Sequence, residues 1–212
     1  MSVRSSSAVM SVPHRSSVGE FGMWVFLASE MLFFSVLFFG YLVTRLHHPL
    51  GFASASRHTD VVIGSVNTAV LLTSSLMMAL AGRSAAAGAR RSAAGLLAAT
   101  AGFGLIFLAL KGLEYAHDAQ HQLVPWRDFS LAFEPDAGGT RLFFWLYFIM
   151  TGAHALHLLI GITLVLTLMV VVARARHAIR HAETVEIIGL YWHLVDVVWI
   201  FLYPLLYLVS RT

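Results

Sequence analysis

The sequence predicts an all-α integral membrane protein, a bundle of five transmembrane helices with its N-terminus inside and its C-terminus outside. Three observations predict it. The chain is 58% hydrophobic and only 12% charged, with a mean hydropathy of +0.76; a soluble domain is about 45–50% apolar and about 25% charged. Five apolar stretches are each long enough to cross a hydrocarbon core, which takes about 20 helical residues. The arginines between those stretches are unevenly shared between the two sides.

The elements follow in order. The opening "MSVRSSSAVMSVPHRSSVGE" is Ser-rich, interrupted by Pro13 and without an apolar core. It reads as a flexible cytoplasmic tail over residues 1–19, not as a cleaved signal peptide. Residues 20–212 then form one transmembrane domain with no convincing internal repeat. The spans run from Glu20 to Thr44, Val61 to Ala81, Ser92 to Tyr115, Thr140 to Val172 and Glu183 to Val209. The last two exceed the bilayer and must tilt or protrude. With the N-terminus inside, Arg4, Arg15, Arg83, Arg90, Arg91, Arg174, Arg176 and Arg180 lie inside, against Arg45, Arg57, Arg127, Arg141 and Arg211 outside. That bias of eight to five fixes the orientation under the positive-inside rule. The longest loop, between the third and fourth spans, reads as an ordered surface cap or partner contact.

Several chemistries are excluded. The chain has no cysteine, so it holds no disulfide, iron–sulfur cluster, thiolate zinc site or covalently attached c-type haem. No dense basic run points to nucleic acid. No serine stands in a nucleophile context, and no HExxH motif is present.

Polar residues inside the spans carry the functional signal, because a central charge costs about 2.5–3.5 kcal/mol on insertion scales. Glu30 lies roughly 15 Å into the first span at 1.5 Å per residue. Its neighbours on the helix are Phe26, Leu27, Phe33 and Phe34, so it is either neutral or satisfied by another helix, a water or a lipid headgroup. Lys111 and Glu114, three apart, share a helix face and can pair. His154 and His157 in "TGAHALHLLIG" also share a face, amid Gly152, Gly161, Ala153 and Ala155, which suits close helix contact better than a metal or haem site. His193 and Asp196 in "GLYWHLVDVVWIFLYPLLYL" can bond each other or a third group. Pro204 favours a kink just beyond them. The surrounding Trp and Tyr residues read as a packing surface or an interfacial belt.

These motifs together resemble subunit III of the haem–copper oxidases. "YWHLVDVVWIFLY" is similar to the family's last helix and "TGAHALHLLIG" to its penultimate one. "LASEMLFF" resembles the early helix with the family's membrane-embedded glutamate, and "GSVNTAVLLTSS" and "LKGLEY" resemble the helices between. The likeness covers the chain from about Glu20 onward and is to the short, five-helix bacterial form, which lacks the first two helices of the long form. It implies a non-catalytic subunit that binds no haem or copper itself. The resemblance places haem and copper in partner subunits I and II, with phospholipid held beside them and proton uptake supported. It also implies a multi-pass location in the bacterial inner membrane. Glu30, Asn67, Glu114, His154, His157, His193 and Asp196 become the expected lipid and intramembrane polar-network positions. Two other readings stay open: the subunit-III-like accessory protein of nitric oxide reductases, and a proton-coupled membrane transporter.

Overall fold

The computed structural model describes residues 15–126, 131, 136–174 and 179–208. The described residues form α1 (Arg15–His47), α2 (Pro49–Arg57), α3 (Val61–Ala86), α4 (Arg90–Gln120), α5 (Ala137–Arg174) and α6 (Ile179–Tyr203). A π-helical turn, Pro204–Leu208, closes the chain's described part. Five of these helices are long and apolar enough to cross a membrane. They are α1, α3, α4, α5 and α6, in the order the sequence predicts, and the protein is a multi-pass membrane protein. Residues 1–14 of the predicted tail, and 127–130 and 132–135 of the α4–α5 loop, lie outside the described residues.

The bundle has two ends. One carries α2 with the α2–α3 and α4–α5 connections; the other carries the α3–α4 turn and the start of α6. Helices α3 to α6 pack into a core that α1 flanks. Of the five, α1 buries the smallest share of its surface and leaves Phe21, Leu32, Val36 and Phe39 exposed. In lipid such a face needs no polar cover, since the surrounding tails are as apolar as the side chains.

The short helix α2 lies between the first two predicted spans, and its nine residues are too few to register as a span. Pro49 sits in its first turn, where the missing N–H costs nothing. Its fully buried Phe52 packs edge-to-face on Tyr41 of α1 and Phe143 of α5. Asp136 fastens the contact. Its carboxylate accepts hydrogen bonds from the N–H of Gly139 at 3.0 Å and of Gly51 at 3.3 Å, capping α5 and holding α2 at once. His48 Nδ1 stands 3.3 Å from both carboxylate oxygens. The Gly139 N–H above all, with His48 beside it, holds the Asp136 carboxyl below the usual carboxylate range. Gly51 permits the crossing: a Cβ there would lie 2.6 Å from the Thr140 nitrogen and 2.8 Å from the Asp136 carbonyl oxygen.

A second close approach sets the α4–α5–α6 core. Trp192 of α6 is fully buried in a notch between two glycines. A Cβ on Gly104 would stand 2.9 Å from its ring, and one on Gly161 3.2 Å. Gly152, by contrast, has nothing within 4 Å of such a Cβ. The predicted small-residue contact surface therefore holds at Gly161 and not at Gly152.

The predicted break at Pro204 takes the form of the π turn. Proline offers no N–H to the preceding turn and its ring crowds it, and a wider turn accommodates that. Tyr41 donates its hydroxyl to the Leu205 carbonyl at 2.8 Å, so α1 is tied to the π turn.

Candidate functional site

The polar residues of the spans separate into three groups. The first is a closed knot near the α2 end, between α4, α5 and the π turn. Lys111 and Glu114 are each 2% exposed, which only full pairing permits. The Lys111 ammonium donates all three of its protons: to Glu114 Oε2 at 3.0 Å, to the Tyr147 hydroxyl at 2.9 Å and to the Tyr207 hydroxyl at 2.5 Å. Both tyrosines then donate to Glu114 Oε1, at 2.8 and 2.6 Å. Every strong donor finds an acceptor and the net charge is zero. One turn on, Tyr115 and Thr151 join hydroxyls at 2.5 Å. The Lys111–Glu114 pairing is as the sequence predicts. Tyr147 and Tyr207 were missed, because nothing in a sequence distinguishes a tyrosine that closes a buried network from one that packs.

The second group joins α1 to α5. His157 Nε2 lies 2.8 Å from Glu30 Oε2, and its Nδ1 lies 2.7 Å from the Ala153 carbonyl oxygen. Glu30 therefore has a partner from another helix. The two contacts also fix the proton count. A carbonyl only accepts, so Nδ1 carries a proton. Nε2 then shares one further proton with the carboxyl: either the acid donates to a neutral ring, or the protonated ring donates to a carboxylate. In both forms the pair is neutral overall, which is what a bilayer interior favours. Phe33 and Phe34 flank the ring, with centroids 6.0 and 5.2 Å away, and Tyr191 donates to the His157 carbonyl at 2.9 Å.

We expect Glu30→Leu and His157→Phe each to destabilise the protein, and the double variant to cost less than their sum. A double-mutant cycle on thermal unfolding in detergent should give a coupling of about 0.5–3 kcal/mol. Strict additivity would show that the two groups do not interact.

The third group lines the α3–α6 seam. Ser75 Oγ is 2.7 Å from His193 Nδ1, Trp199 Nε1 donates to Thr68 Oγ1 at 3.0 Å, and Ser65 meets the Tyr203 hydroxyl at 2.6 Å. His193 thus bonds Ser75 and not Asp196. Among the described residues no hydrogen bond reaches the side-chain nitrogens of His154 or the amide of Asn67, and the carboxyl of Asp196 faces Ser75 without a bond of full geometry; all three residues are buried. His154 instead packs its ring on Phe107 and Trp199, with centroids 5.5 and 5.2 Å apart. His154 and His157 accordingly point to different places, one into the core and one to α1. Of the two expectations for the aromatic residues, packing surface or interfacial belt, packing holds for Tyr191, Trp192, Trp199 and Tyr207, which are all buried.

A groove of about 600 Å³ opens at the far end from α2, among α1, α3 and α6. It is lined by Trp24, Met78, Gly82, Arg83, Glu186 and His193, among others. Of the seven predicted network positions, only His193 lines it. Among the described residues, no three His, Asp or Glu side chains converge as metal ligands.

This arrangement defines a class, a multi-pass helical membrane protein whose intramembrane acids and bases are largely engaged in bonds between its own helices. The chain matches the family model for cytochrome c oxidase subunit III over residues 8–211, and it belongs to that family. It is 33% identical to cytochrome c oxidase subunit 3 of Synechocystis sp., over 89% of this chain and 74% of that one. It is 30% identical to the subunit 3 of Thermostichus vulcanus, over 99% of this chain and 98% of that one. It is also 30% identical to the haem–copper oxidase subunit I+III of Aeropyrum pernix, over 88% of this chain and 22% of that one.

Proposed function

We propose that this chain is the five-span subunit III of a bacterial respiratory haem–copper oxidase of the oxygen-reducing kind, lying in the inner membrane with its N-terminus inside. In this reading it packs beside subunit I, leaves haem and copper to subunits I and II, and supports complex stability and proton uptake. Family membership together with the closed Lys111–Glu114–Tyr147–Tyr207 knot carries the reading. A residue that relays protons must exchange partners, whereas here each strong donor is already matched within the fold. The subunit I+III name of the Aeropyrum pernix relative supports a place beside subunit I.

The groove beside Arg83 is the proposed phospholipid site. Arg83 on α3 offers a cation to a headgroup phosphate, and Trp24 offers an amphipathic ring of the kind found at membrane interfaces. We expect native mass spectrometry of the intact complex to retain phospholipid, and Arg83→Ala with Trp24→Ala to lower the retained amount. Unchanged lipid in a fully assembled double variant would remove the groove from the proposal.

A further inference from the structure

We propose that the Asp196 carboxyl is a proton-exchange site inside the bundle, supplied from the groove beside Arg83 through His193 and Ser75. The observations begin with the carboxyl itself. Asp196 is 3% exposed. Both of its oxygens are sealed from the surface without a hydrogen bond of full geometry among the described residues, and no salt bridge among those residues reaches it. Trp192 and Trp199, one turn to either side on α6, are buried too. An acid held this way adds little to packing, and within a span such an acid marks a place where charge or protons are handled.

One hydroxyl links this acid to the groove. His193 and Asp196, three apart on α6, share a face, and Ser75 of α3 meets both. Its Oγ lies 2.7 Å from His193 Nδ1, and it is the polar side chain set against the Asp196 carboxyl. The third group that the spacing of His193 and Asp196 allows is therefore Ser75. The other ring nitrogen, His193 Nε2, takes no hydrogen bond within the described chain and is not sealed from the surface. His193 also lines the groove of about 600 Å³. The route runs from the groove to Nε2, across the ring to Nδ1, to the Ser75 hydroxyl and on to the carboxyl.

Each link can carry a proton. An imidazole accepts on one nitrogen while releasing from the other, and a hydroxyl both donates and accepts. A proton from groove water binds Nε2, the Nδ1 proton passes to Ser75 Oγ, and the hydroxyl's own proton passes to the carboxylate, which becomes the neutral acid. Every intermediate atom gives up one proton for the one it takes, and the same steps in reverse return it. Arg83 of α3 and Glu186 of α6 are the charged groups that face His193 in the groove, and they keep its mouth hydrated. From α1 the groove receives Trp24, which does not titrate. The route uses neither the Lys111 knot nor the Glu30–His157 pair, whose protons are shared with fixed neighbours.

The test uses the full chain in detergent with the subunits that accompany it. Infrared difference spectra between wild type and Asp196→Asn identify the band of the protonated Asp196 carboxyl, and Asp196→Glu, which moves the band, serves if the asparagine variant does not assemble. The band should shift when the protein is transferred to deuterium oxide. Ser75→Ala and His193→Phe should each slow that shift at least about tenfold, the weight of one lost hydrogen bond in a barrier. Ser75→Thr keeps the hydroxyl and should exchange at the wild-type rate. Damaged packing would admit water and speed the shift, so slowing separates a relay from a structural role. A wild-type band that does not shift would overturn the site. A shift as fast in Ser75→Ala and His193→Phe as in the wild type would overturn the route.

Discussion

Glu114→Leu should cost the protein about 3–5 kcal/mol, because it strands a buried ammonium without its counter-ion. Lys111 is 2% exposed, and its two remaining partners, the hydroxyls of Tyr147 and Tyr207, bring no negative charge. Lys111→Met should cost a similar amount for the mirror reason. The double variant Lys111→Met/Glu114→Leu should recover most of either loss, since a well-packed apolar pair of similar volume often replaces a buried ion pair at little cost. Recovery will fall short of complete. The two tyrosine hydroxyls, 3.5 Å apart, would lose their acceptor on Glu114, and a buried unsatisfied polar group costs about 1–3 kcal/mol. Thermal unfolding of the purified chain in detergent reads all three. If the double variant were as unstable as the two singles added together, the knot would not be a mutually compensating network.

Trp192→Ala should be the most damaging single truncation in the core, at about 3–5 kcal/mol. The ring is 0% exposed and fills the notch over Gly104 and Gly161, so its removal leaves a cavity that three helices cannot close. Within a bilayer close packing of this kind is a principal force between helices. Gly104→Val attacks the same contact from the other side, with a Cβ 2.9 Å from the Trp192 ring and 3.0 Å from Ile162. Overpacking of that order costs about 1–3 kcal/mol. Combining the two changes should be milder than their sum, because the valine occupies part of the space the indole leaves. Unfolding midpoints of the set decide it, and a fully additive double variant would argue against direct packing.

The sequence makes the fold legible because the membrane permits few solutions. Five apolar stretches and the arginines between them specify five spanning helices; α1, α3, α4 and α5 cover their expected spans, and α6 ends at Tyr203, where the π turn takes over. What it hides is short or depends on partners distant in the chain. Helix α2 is too brief and too polar to register as a span, and its place depends on Asp136, 85 residues from Gly51. The pairing of Lys111 with Glu114 is visible from spacing alone. The pairing of Glu30 with His157 is not, because it joins α1 to α5 across 127 residues. His193 and Asp196 mislead in the opposite direction: their spacing suits a mutual bond, yet the serine of a facing helix takes the histidine. Spacing reports which residues share a face, and only tertiary packing decides what that face meets.

In the proposed role this chain serves an oxidase without holding its redox centres. The most direct measurement of that role is isolation of the complex through a tag on this chain, followed by dissociation of the chain and haem spectra of each fraction. The expected result is a haem-bearing partner in equal proportion to this chain and a separated chain without haem absorbance. Haem that stays with the separated chain, or a chain that emerges with no haem–copper subunit at all, would contradict it.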